Sequence, residues 1–386
     1  MTSAKWVEKL RVEVCGWCGR RIESCPHCGG RHKIQTEWVE AGRGLLGGAG
    51  GLIVKRMGKG KVAVVADRTT WEVAGREVFE GLRGEGVSAK DFVLPIGERP
   101  AFPTEELAKD VEEALDGCDY AVAVGSGTVN DIVKLAAHRA EVPYVVFATA
   151  PSMNGYTSAI SAVFVGGLKV TTPARPPVGV ILDGDVLSSA PPHMRAAGPA
   201  DLVSKFAANA DWLISDLLLG TGYCPLPQEV VEPAYRALDD IADGVREGDP
   251  DSCLALGLSL LLSGFSLAVA GSSAPASGGE HLVSHYLDML AHHAGREPFA
   301  LHGLQVGVGT LACARLYELL LSRGSLDPGG IEEKGWEEED RRLRELHGPL
   351  YKFVVQEARR KFETRRARKE ALLRLSSSPS EFWAKV

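Results

Sequence analysis

Residues 120–139 read YAVAVGSGTVNDIVKLAAHR, and this stretch decides the fold. It opens with Tyr120–Gly125, a continuous apolar run of the kind found in strands that are buried on both faces of a parallel sheet. A glycine turn around Gly127 follows at once, and residues 132–139 have the pattern of a helix. A buried strand that leads through a glycine turn into a helix is the repeating unit of an open α/β sheet.

The same alternation continues in both directions. Residues 61–67, 144–148 and 178–182 are also short apolar runs bounded by Gly, Pro or Asp, and helical stretches such as 104–115 lie between several of them. This order predicts a doubly wound, Rossmann-like parallel sheet. Residues 162–171, which have two glycines between β-prone arms, predict a hairpin.

Composition divides the chain into three zones. Residues 1–35 are polar and rich in Cys, residues 36–187 alternate strands and helices, and residues 188–386 are mostly helical by periodicity. We therefore expect an α/β protein with a Rossmann-like parallel-sheet domain, an all-helical C-terminal domain and a small N-terminal zinc-knuckle extension.

Size and charge narrow the class of protein. With 386 residues, 45% of them apolar, the chain can bury a sizeable core, and its net charge of −7 without a basic cluster argues against nucleic-acid binding. Residues 1–14 carry charge throughout and lack the apolar run of a signal peptide, so a cytoplasmic location is expected. Residues 254–271 are uncharged, but their Ser and Gly content favours a buried core helix over a membrane span.

Two loops in the α/β zone have the composition of ligand-binding loops. Residues 125–131 place glycines at the start of a helix, where free N–H groups can bind a phosphate, although a plain turn capped by Asn130 or Asp131 has the same sequence. Residues 149–158, TAPSMNGYTS, add hydroxyl and amide groups after the next strand. In open α/β sheets, ligands bind at these carboxyl ends.

Histidines in the helical zone are candidate metal ligands. His281 and His285 are four residues apart and share one face of a helix, so they could bind one metal, although such a pair is often incidental. Glu280 precedes the pair, so the sequence is not a metalloprotease HExxH motif.

Several motifs occur together in one order. They are GSGTVNDIVK at 125–134, TAPSMNGYTS at 149–158, DLVSK at 201–205, SGGEHLVSH at 277–285 and LHGLQVGVGT at 301–310. In this set the chain resembles the sn-glycerol-1-phosphate dehydrogenases of the iron-containing alcohol dehydrogenase and dehydroquinate synthase superfamily, over roughly residues 36–325.

The resemblance implies an activity and a metal site. It implies NAD(P)H-dependent, reversible reduction of dihydroxyacetone phosphate to sn-glycerol 1-phosphate by a homo-oligomer, with 36–187 as the cofactor domain and 188–386 as the metal and substrate domain. Asp201, His281 and His302 are the implied ligands of one catalytic Zn²⁺, Ni²⁺ or Fe²⁺ ion. His285 then contacts substrate, and it could relay a proton because imidazole titrates near neutral pH. Asp201 and Asn154 are further candidate substrate contacts.

The resemblance also implies a set of cofactor contacts. They are Asp67, Gly125, Ser126, Gly127, Thr128, Val129, Thr149, Ala150, Pro151, Ser152 and Ser158. Asp67 has an alternative role as the cap of the helix that follows its strand.

This chain departs from the family pattern at three places. Asn154 stands where Asp is common, and Ala274 stands where a related motif has Arg, which puts recognition of a phosphate in doubt. Pro199 lies two residues before Asp201 and could aim its carboxylate differently. A polyol dehydrogenase acting on an unphosphorylated substrate, a dehydroquinate-synthase-like lyase and a non-catalytic paralogue with a zinc-knuckle interaction module are the alternatives.

Eight cysteines are present, and four of them cluster near the N-terminus. Cys15-x-x-Cys18 and Cys25-x-x-Cys28 predict a compact structural zinc site, with His27 or His32 as substitute ligands; a redox pair, an iron–sulfur cluster and free thiols are the alternatives. The four remaining cysteines lie in apolar contexts and are expected to be buried free thiols. They are Cys118, Cys224, Cys253 and Cys313.

Overall fold

The computed structural model describes residues 1–96, 101–322 and 334–376. The strands, numbered in chain order, are β1 (Arg21–Ile22), β2 (His32–Lys33), β3 (Trp38–Gly42), β4 (Lys61–Asp67), β5 (Ser88–Leu94), β6 (Tyr120–Gly125), β7 (Tyr144–Ala148), β8 (Ile160–Val165), β9 (Leu168–Pro173) and β10 (Gly179–Asp183). Six of them form one parallel sheet in the order β3-β10-β7-β6-β4-β5, which confirms the predicted fold class.

The register of the sheet places the ligand-binding loops side by side. Ala66 pairs with Val124, and Gly125 pairs with Ala148, so β4, β6 and β7 end at the same edge. Strands β6 and β7 are buried along their whole length, as their continuous apolar runs predict. The predicted hairpin is the antiparallel pair β8–β9, in which Gly166 and Gly167 adopt positive φ angles of 58° and 89°.

Helices cover the sheet and form the C-terminal part of the described chain. Those of the sheet region are α2 (Ala49–Met57), α3 (Arg68–Thr70), α4 (Arg76–Gly84), α5 (Glu105–Ala114) and α6 (Gly127–Arg139). Those that follow are α7 (Gly184–Ser189), α8 (Pro192–Val203), α9 (Lys205–Leu219), α10 (Leu226–Glu247), α11 (Pro250–Ala270), α12 (Gly279–His293), α13 (His302–Ser322), α14 (Trp336–His347), α15 (Tyr351–Glu363) and α16 (Arg365–Ser376).

Helix α11 is the core of the helical part. It begins at Pro250 behind an Asp249 cap whose carboxylate accepts the Ser252 N–H, and nearly all of its side chains are buried. By length and composition, α11 and α13 could each cross a membrane, but 89% of the apolar window of α11 is buried inside the protein. It has the burial predicted for a core helix. The corresponding window of α13 is only 22% buried.

The N-terminal zone is docked onto this core. It begins with α1 (Ser3–Trp17), whose buried face consists of Trp6, Leu10 and Val14. These side chains join the main hydrophobic core, and the Trp6 indole N–H donates to Asp240 Oδ2 on α10 at 2.8 Å. Their spacing of four residues places them on one face of the helix. The zone is thus a packed helix, and the short β1–β2 pair follows it.

Candidate active site

A carboxylate and two imidazoles converge between helices α8, α12 and α13. Asp201, His281 and His302 each place one ligand atom within 4.8 Å of the others, and Asp201 Oδ1 lies 3.6 Å from His281 Nε2. Three mixed carboxylate and imidazole donors that leave a position open make up the donor set of a catalytic divalent-metal site. The structure thus brings together the three residues that the resemblance implied as ligands.

Two glycines allow the backbones around this triad to approach closely. A Cβ atom on Gly198 would lie 2.0 Å from the Pro151 carbonyl oxygen, and one on Gly303 would lie 2.2 Å from the Ala197 carbonyl oxygen. Because any larger residue would collide with main-chain atoms, these glycines let α8 contact both the loop after β7 and the start of α13. Close backbone contacts therefore fix the helices that carry Asp201 and His302.

Asp201 is completely buried and is oriented on both of its oxygens. Lys205 Nζ lies 3.1 Å from Oδ1, and the Asn154 N–H donates to Oδ2 at 2.9 Å. Pro199 lies inside α8, yet the Asp201 carboxylate still points at His281. Asn154, predicted as a substrate contact, thus binds the Asp201 carboxylate through its main chain, while its side-chain amide donates to Ser263 Oγ at 3.4 Å.

His281 is paired with a carboxylate that fixes its tautomer. Its Nδ1 lies 2.8 Å from Glu280 Oε1, and because a carboxylate only accepts, Nδ1 carries the proton and Nε2 is free to bind metal. Burial raises the pKa of Glu280, but hydrogen bonds from His281 and from the Gly278 N–H outweigh it, so the pKa is lowered and the group is ionised. A carboxylate partner increases the basicity of a metal-bound imidazole.

His302 is fixed through a chain of hydrogen bonds. Gln305 Nε2 donates to Asp288 Oδ1 at 3.0 Å and to the Ala300 carbonyl at 2.9 Å, which leaves its Oε1 as an acceptor. The Ser284 hydroxyl donates to that oxygen at 3.1 Å, and because it has one proton it must accept from His302 Nδ1, 3.1 Å away. The Nε2 atom of His302 is therefore unprotonated and available to a metal.

The three histidines at the site are neutral. Burial lowers the pKa of His281, and it lowers the pKa of His285 and His302 well below the ordinary value, with the charge of Lys169 adding to the shift of the last two. A neutral imidazole is the form that binds metal. For His285, burial first and the charge of Lys169 second hold the pKa below the near-neutral value of a free imidazole.

His285 lies beside the triad instead of within it. Its ring centroid is 6.2 Å from that of His281 and 5.9 Å from that of His302, and it lines the cleft next to the ligands. Sequence spacing alone would have paired His281 with His285. The fold pairs His281 with His302 instead and leaves His285 facing the cleft.

The cleft is also lined by both predicted loops. Among the predicted cofactor contacts, the lining includes Ser126, Gly127, Thr128, Ser152 and Ser158. The others lie outside that lining, and they are Asp67, Gly125, Val129, Thr149, Ala150 and Pro151. Helix α6 begins at Gly127 with no side-chain cap, so neither Asn130 nor Asp131 caps it and its first N–H groups are available to an anion.

A buried lysine organises the second loop. Lys134 Nζ donates to the Gly155 carbonyl, to Ser158 Oγ at 3.0 Å and to the Ile160 carbonyl at 3.0 Å. Burial lowers the pKa of Lys134 to about 8, and burial raises the pKa of the nearby Asp131 to about 6. Lys134 ends the GSGTVNDIVK motif, but its role could not be read from the motif because its partners lie on a different loop.

Asp67 has a structural role in this conformation. Its carboxylate accepts the Thr70 N–H at 2.7 Å, and its own N–H donates to Thr70 Oγ1 at 3.0 Å, so the pair forms a capping box at α3. Asp67 therefore has the helix-capping role that the sequence offers as the alternative to cofactor binding. Contact with a cofactor stays a prediction for this residue.

Lys169 brings a cation to the cleft from the β8–β9 hairpin. It is mostly buried and lies 2.6 Å from Asp288 Oδ2 on α12. Among the described residues that line the cleft, it is the one Lys or Arg side chain. The quoted motifs do not include Lys169, although a lysine inside a β-prone arm is a signal. It supplies a positive charge to the cleft, whereas Ala274 is not among the residues that line it.

The structure corrects the predicted zinc ligands. Cys15 is exposed on α1, and the Cys18 thiol donates to the Val14 carbonyl at 3.3 Å, so neither joins Cys25 and Cys28. The described cluster consists of Cys25, Cys28, His32 and Cys224. Cys224 was expected to be an isolated buried thiol, and of the other three only Cys253 is fully buried, whereas Cys118 and Cys313 are half-buried.

Comparison with known proteins identifies relatives. A family model described as iron-containing alcohol dehydrogenase matches residues 40–191. The glycerol-1-phosphate dehydrogenase (NAD(P)+) of Geobacillus thermodenitrificans is 34% identical over 283 residues, which are 72% of this chain and 70% of that protein. The protein of the same name from Thermococcus kodakarensis is 34% identical over 273 residues, 70% of this chain and 75% of that one.

Solved structures share the fold. Glycerol dehydrogenase from Schizosaccharomyces pombe superimposes with a TM-score of 0.60 at 18% identity, over 72% of this chain and 71% of that one. An archaeal halo-thermophilic alcohol dehydrogenase from a Red Sea brine pool gives a TM-score of 0.57 at 15% identity, over 91% of this chain and all of that one.

Proposed function

Since this chain belongs to the glycerol-1-phosphate dehydrogenase family of the iron-containing alcohol dehydrogenases, we propose that it reversibly reduces dihydroxyacetone phosphate to sn-glycerol 1-phosphate with NAD(P)H. The class of enzyme, an NAD(P)-dependent and metal-containing alcohol dehydrogenase, follows from the family. The observation that carries the specific reaction is the triad of Asp201, His281 and His302 beside a cleft that also holds the α6 N-terminus and Lys169.

The protein's own groups would hold and orient the reactants. When bound, a divalent ion supplies Lewis-acid polarisation of a ketone and the nicotinamide supplies the hydride. Asp201, His281 and His302 are the residues that would hold the ion, and the chemistry of their donors suits Zn²⁺, Ni²⁺ or Fe²⁺. The free N–H groups at the start of α6 would bind the phosphates of the cofactor.

His285 is the candidate for moving the proton that the reduced substrate takes up. Because its pKa is held well below the ordinary value, the ring is neutral, with one protonated and one free nitrogen. A neutral imidazole can give its N–H proton to the substrate oxygen while its other nitrogen accepts a proton from solvent. In this role His285 transfers a proton to the substrate without becoming positively charged.

Lys169 would bind the substrate phosphate. An ammonium group has three donors, and the Asp288 contact uses one of them, which leaves donors for an anion in the cleft. A charge-assisted hydrogen bond contributes about 1.5–3 kcal/mol, equivalent to roughly 10- to 150-fold in affinity. Lys169 would in this way replace the cation that is missing at Ala274.

The test compares two substrates in one variant. In Lys169→Met we expect the KM for dihydroxyacetone phosphate to rise about tenfold or more relative to the KM for dihydroxyacetone, because only the first carries a phosphate. The ratio is the readout, since loss of the lysine also disturbs Asp288 and affects both substrates. Lys109→Met, at an exposed site outside the cleft, is the matched control.

Each outcome is decisive for one part of the proposal. Equal effects on both substrates would reject the phosphate assignment and favour a polyol dehydrogenase. Absence of NADH or NADPH oxidation with either ketone in the metal-loaded wild type would reject the oxidoreductase reaction itself. We further propose that residues 36–187 bind the cofactor and that residues 188–386 bind the metal and substrate. We also propose that the protein is a cytoplasmic homo-oligomer, and light scattering of the purified protein would test its oligomeric state.

A further inference from the structure

Three sulfur atoms and one imidazole meet at a second place, away from the active-site triad. The ligand atoms of Cys25, Cys28, His32 and Cys224 all lie within 4.8 Å of one another. Cys28 Sγ is 3.3 Å and Cys224 Sγ is 4.0 Å from His32 Nε2, and the Sγ atoms of Cys25 and Cys224 are 3.8 Å apart. Three of these residues come from the N-terminal segment, and Cys224 comes from the loop between α9 and α10.

The tautomer of His32 is set for metal binding. Its Nδ1 lies 2.6 Å from the Val269 carbonyl oxygen, which can only accept, so Nδ1 carries the ring proton. In the neutral ring, Nε2 is then the nitrogen with the free electron pair, and it lies 3.3 Å from Cys28 Sγ. An imidazole whose outer nitrogen donates to a carbonyl while its inner nitrogen faces other ligands is the usual arrangement of a metal-bound histidine.

The backbone around Cys25 and Cys28 forms a tight knuckle. The Cys25 N–H donates to the Gly30 carbonyl and the Gly29 N–H donates to the Cys25 carbonyl, both at 2.8 Å. Gly29 has a φ of +69°, a conformation that favours glycine, and the Gly30 N–H points at Cys28 Sγ at 3.4 Å. An N–H group directed at sulfur stabilises a thiolate, which is the form that binds metal.

The other candidate ligands of the N-terminal segment, His27, Cys15 and Cys18, do not join this cluster. His27, between the two knuckle cysteines, lies 2.9 Å from Glu229 through Nε2. Cys15 and Cys18 belong to α1 and its end, as described above. Three thiolates and one imidazole that close a tetrahedral shell suit Zn²⁺, a borderline-soft ion with no preferred geometry of its own.

We propose that Cys25, Cys28, His32 and Cys224 bind one Zn²⁺ ion as a closed, structural site. The ion would join the N-terminal segment to the helical part, because Cys224 is 192 residues from His32 in sequence. It would also fix the end of α11 through Val269, just before the loop that contributes Ser273 and Ala276 to the active-site cleft. Its four ligands would take no part in the proposed reaction itself.

Sulfur distinguishes this site from the active site, whose ligands are oxygen and nitrogen only. X-ray absorption at the zinc edge of the purified wild-type protein should show zinc–sulfur scattering at about 2.3 Å. Bound zinc should fall by one ion per chain in Cys224→Ser and in His32→Ala, with loss of that sulfur signal. The double variant Cys15→Ser/Cys18→Ser is the matched control and should keep both.

Several results would overturn the proposal. They are the absence of zinc–sulfur scattering in the wild type, its loss in the Cys15→Ser/Cys18→Ser control, iron with inorganic sulfide at the site, and a Cys25–Cys224 disulfide in mass spectra of the native protein. If Cys224→Ser does not fold, thiol labelling of the wild type decides: Cys25, Cys28 and Cys224 should react only after a strong chelator is added, and equal labelling without chelator would reject the site.

Discussion

Replacing Ser284 with alanine should weaken metal binding without touching a metal ligand. The Ser284 hydroxyl accepts from His302 Nδ1 and donates to Gln305 Oε1, both at 3.1 Å. Without it, the His302 ring loses the group that keeps the proton on Nδ1 and the free electron pair on Nε2. The ring can then change tautomer or rotate, and each change removes a ligand from the triad.

The size of the effect follows from the geometry. Losing the hydrogen-bond partner of a metal-bound histidine typically costs about 10- to 100-fold in metal affinity, or about 1.4 to 2.7 kcal/mol. The substitution also leaves His302 Nδ1–H and Gln305 Oε1 without that partner in a buried place, at about 1–3 kcal/mol each. We therefore expect both weaker metal binding and a lower free energy of unfolding.

Ser259→Ala is the matched control for this experiment. Ser259 is equally buried, but its hydroxyl donates to the Ala255 carbonyl within its own helix, so its loss should leave metal affinity unchanged. Titration of metal-depleted protein with Co²⁺, followed by visible absorption, separates a site of oxygen and nitrogen ligands from a thiolate site. If Ser284→Ala binds cobalt at the triad as tightly as Ser259→Ala does, the hydrogen-bond chain does not support His302.

Two further predictions concern packing and pH. Gly198→Ala should destabilise the fold by about 1–3 kcal/mol or more, because its Cβ would lie 2.0 Å from the Pro151 carbonyl oxygen. The control Gly16→Ala, in open space on α1, should be neutral or stabilising. Equal denaturant midpoints of the two variants would contradict this. Metal-depleted protein should gain stability as the pH rises towards about 6.5, the ordinary pKa of an unfolded histidine, and the gain should level off above that pH. The pKa of His285 is depressed on folding, so the unfolded chain binds more protons in this range, with a slope of up to about 1.4 kcal/mol per pH unit. Urea unfolding of His285→Gln should show a smaller slope, and an unchanged slope would exclude His285 as a contributor.

The central strands could be predicted because strands that are buried on both faces are apolar at nearly every position. Strands β4, β6, β7 and β10 have neighbours on both sides, so each is a continuous apolar run. The edge strands β3 and β5 were not predicted. In β5, SAKDFVL, all residues but Leu94 are exposed or half-buried, so the apolar signal is weak, as is common in an edge strand.

Only those roles at the site that sequence motifs indicate could be predicted. Local spacing favoured the pair His281 and His285, and the resemblance was needed to replace His285 with His302. The supporting roles of Gln305, inside the LHGLQVGVGT motif, and of Lys169, outside every motif, could not be read from the sequence, because both residues act through contacts that exist only in the folded chain. Likewise Cys224 cannot be linked to the knuckle by spacing, since the fold alone brings it there.

The charges around the triad indicate an order of binding. Three buried carboxylates, Asp201, Glu280 and Asp288, face two ammonium groups, Lys205 and Lys169, so these five groups together carry one excess negative charge when no metal is bound. A buried excess charge is unfavourable, and a divalent cation both removes it and leaves one positive charge. An anionic substrate or a cofactor phosphate is then attracted where before it was repelled. Dihydroxyacetone phosphate should therefore bind measurably only to the metal-loaded protein, whereas uncharged dihydroxyacetone should depend less on the metal for its binding, and calorimetry of the two ligands with and without metal measures the difference.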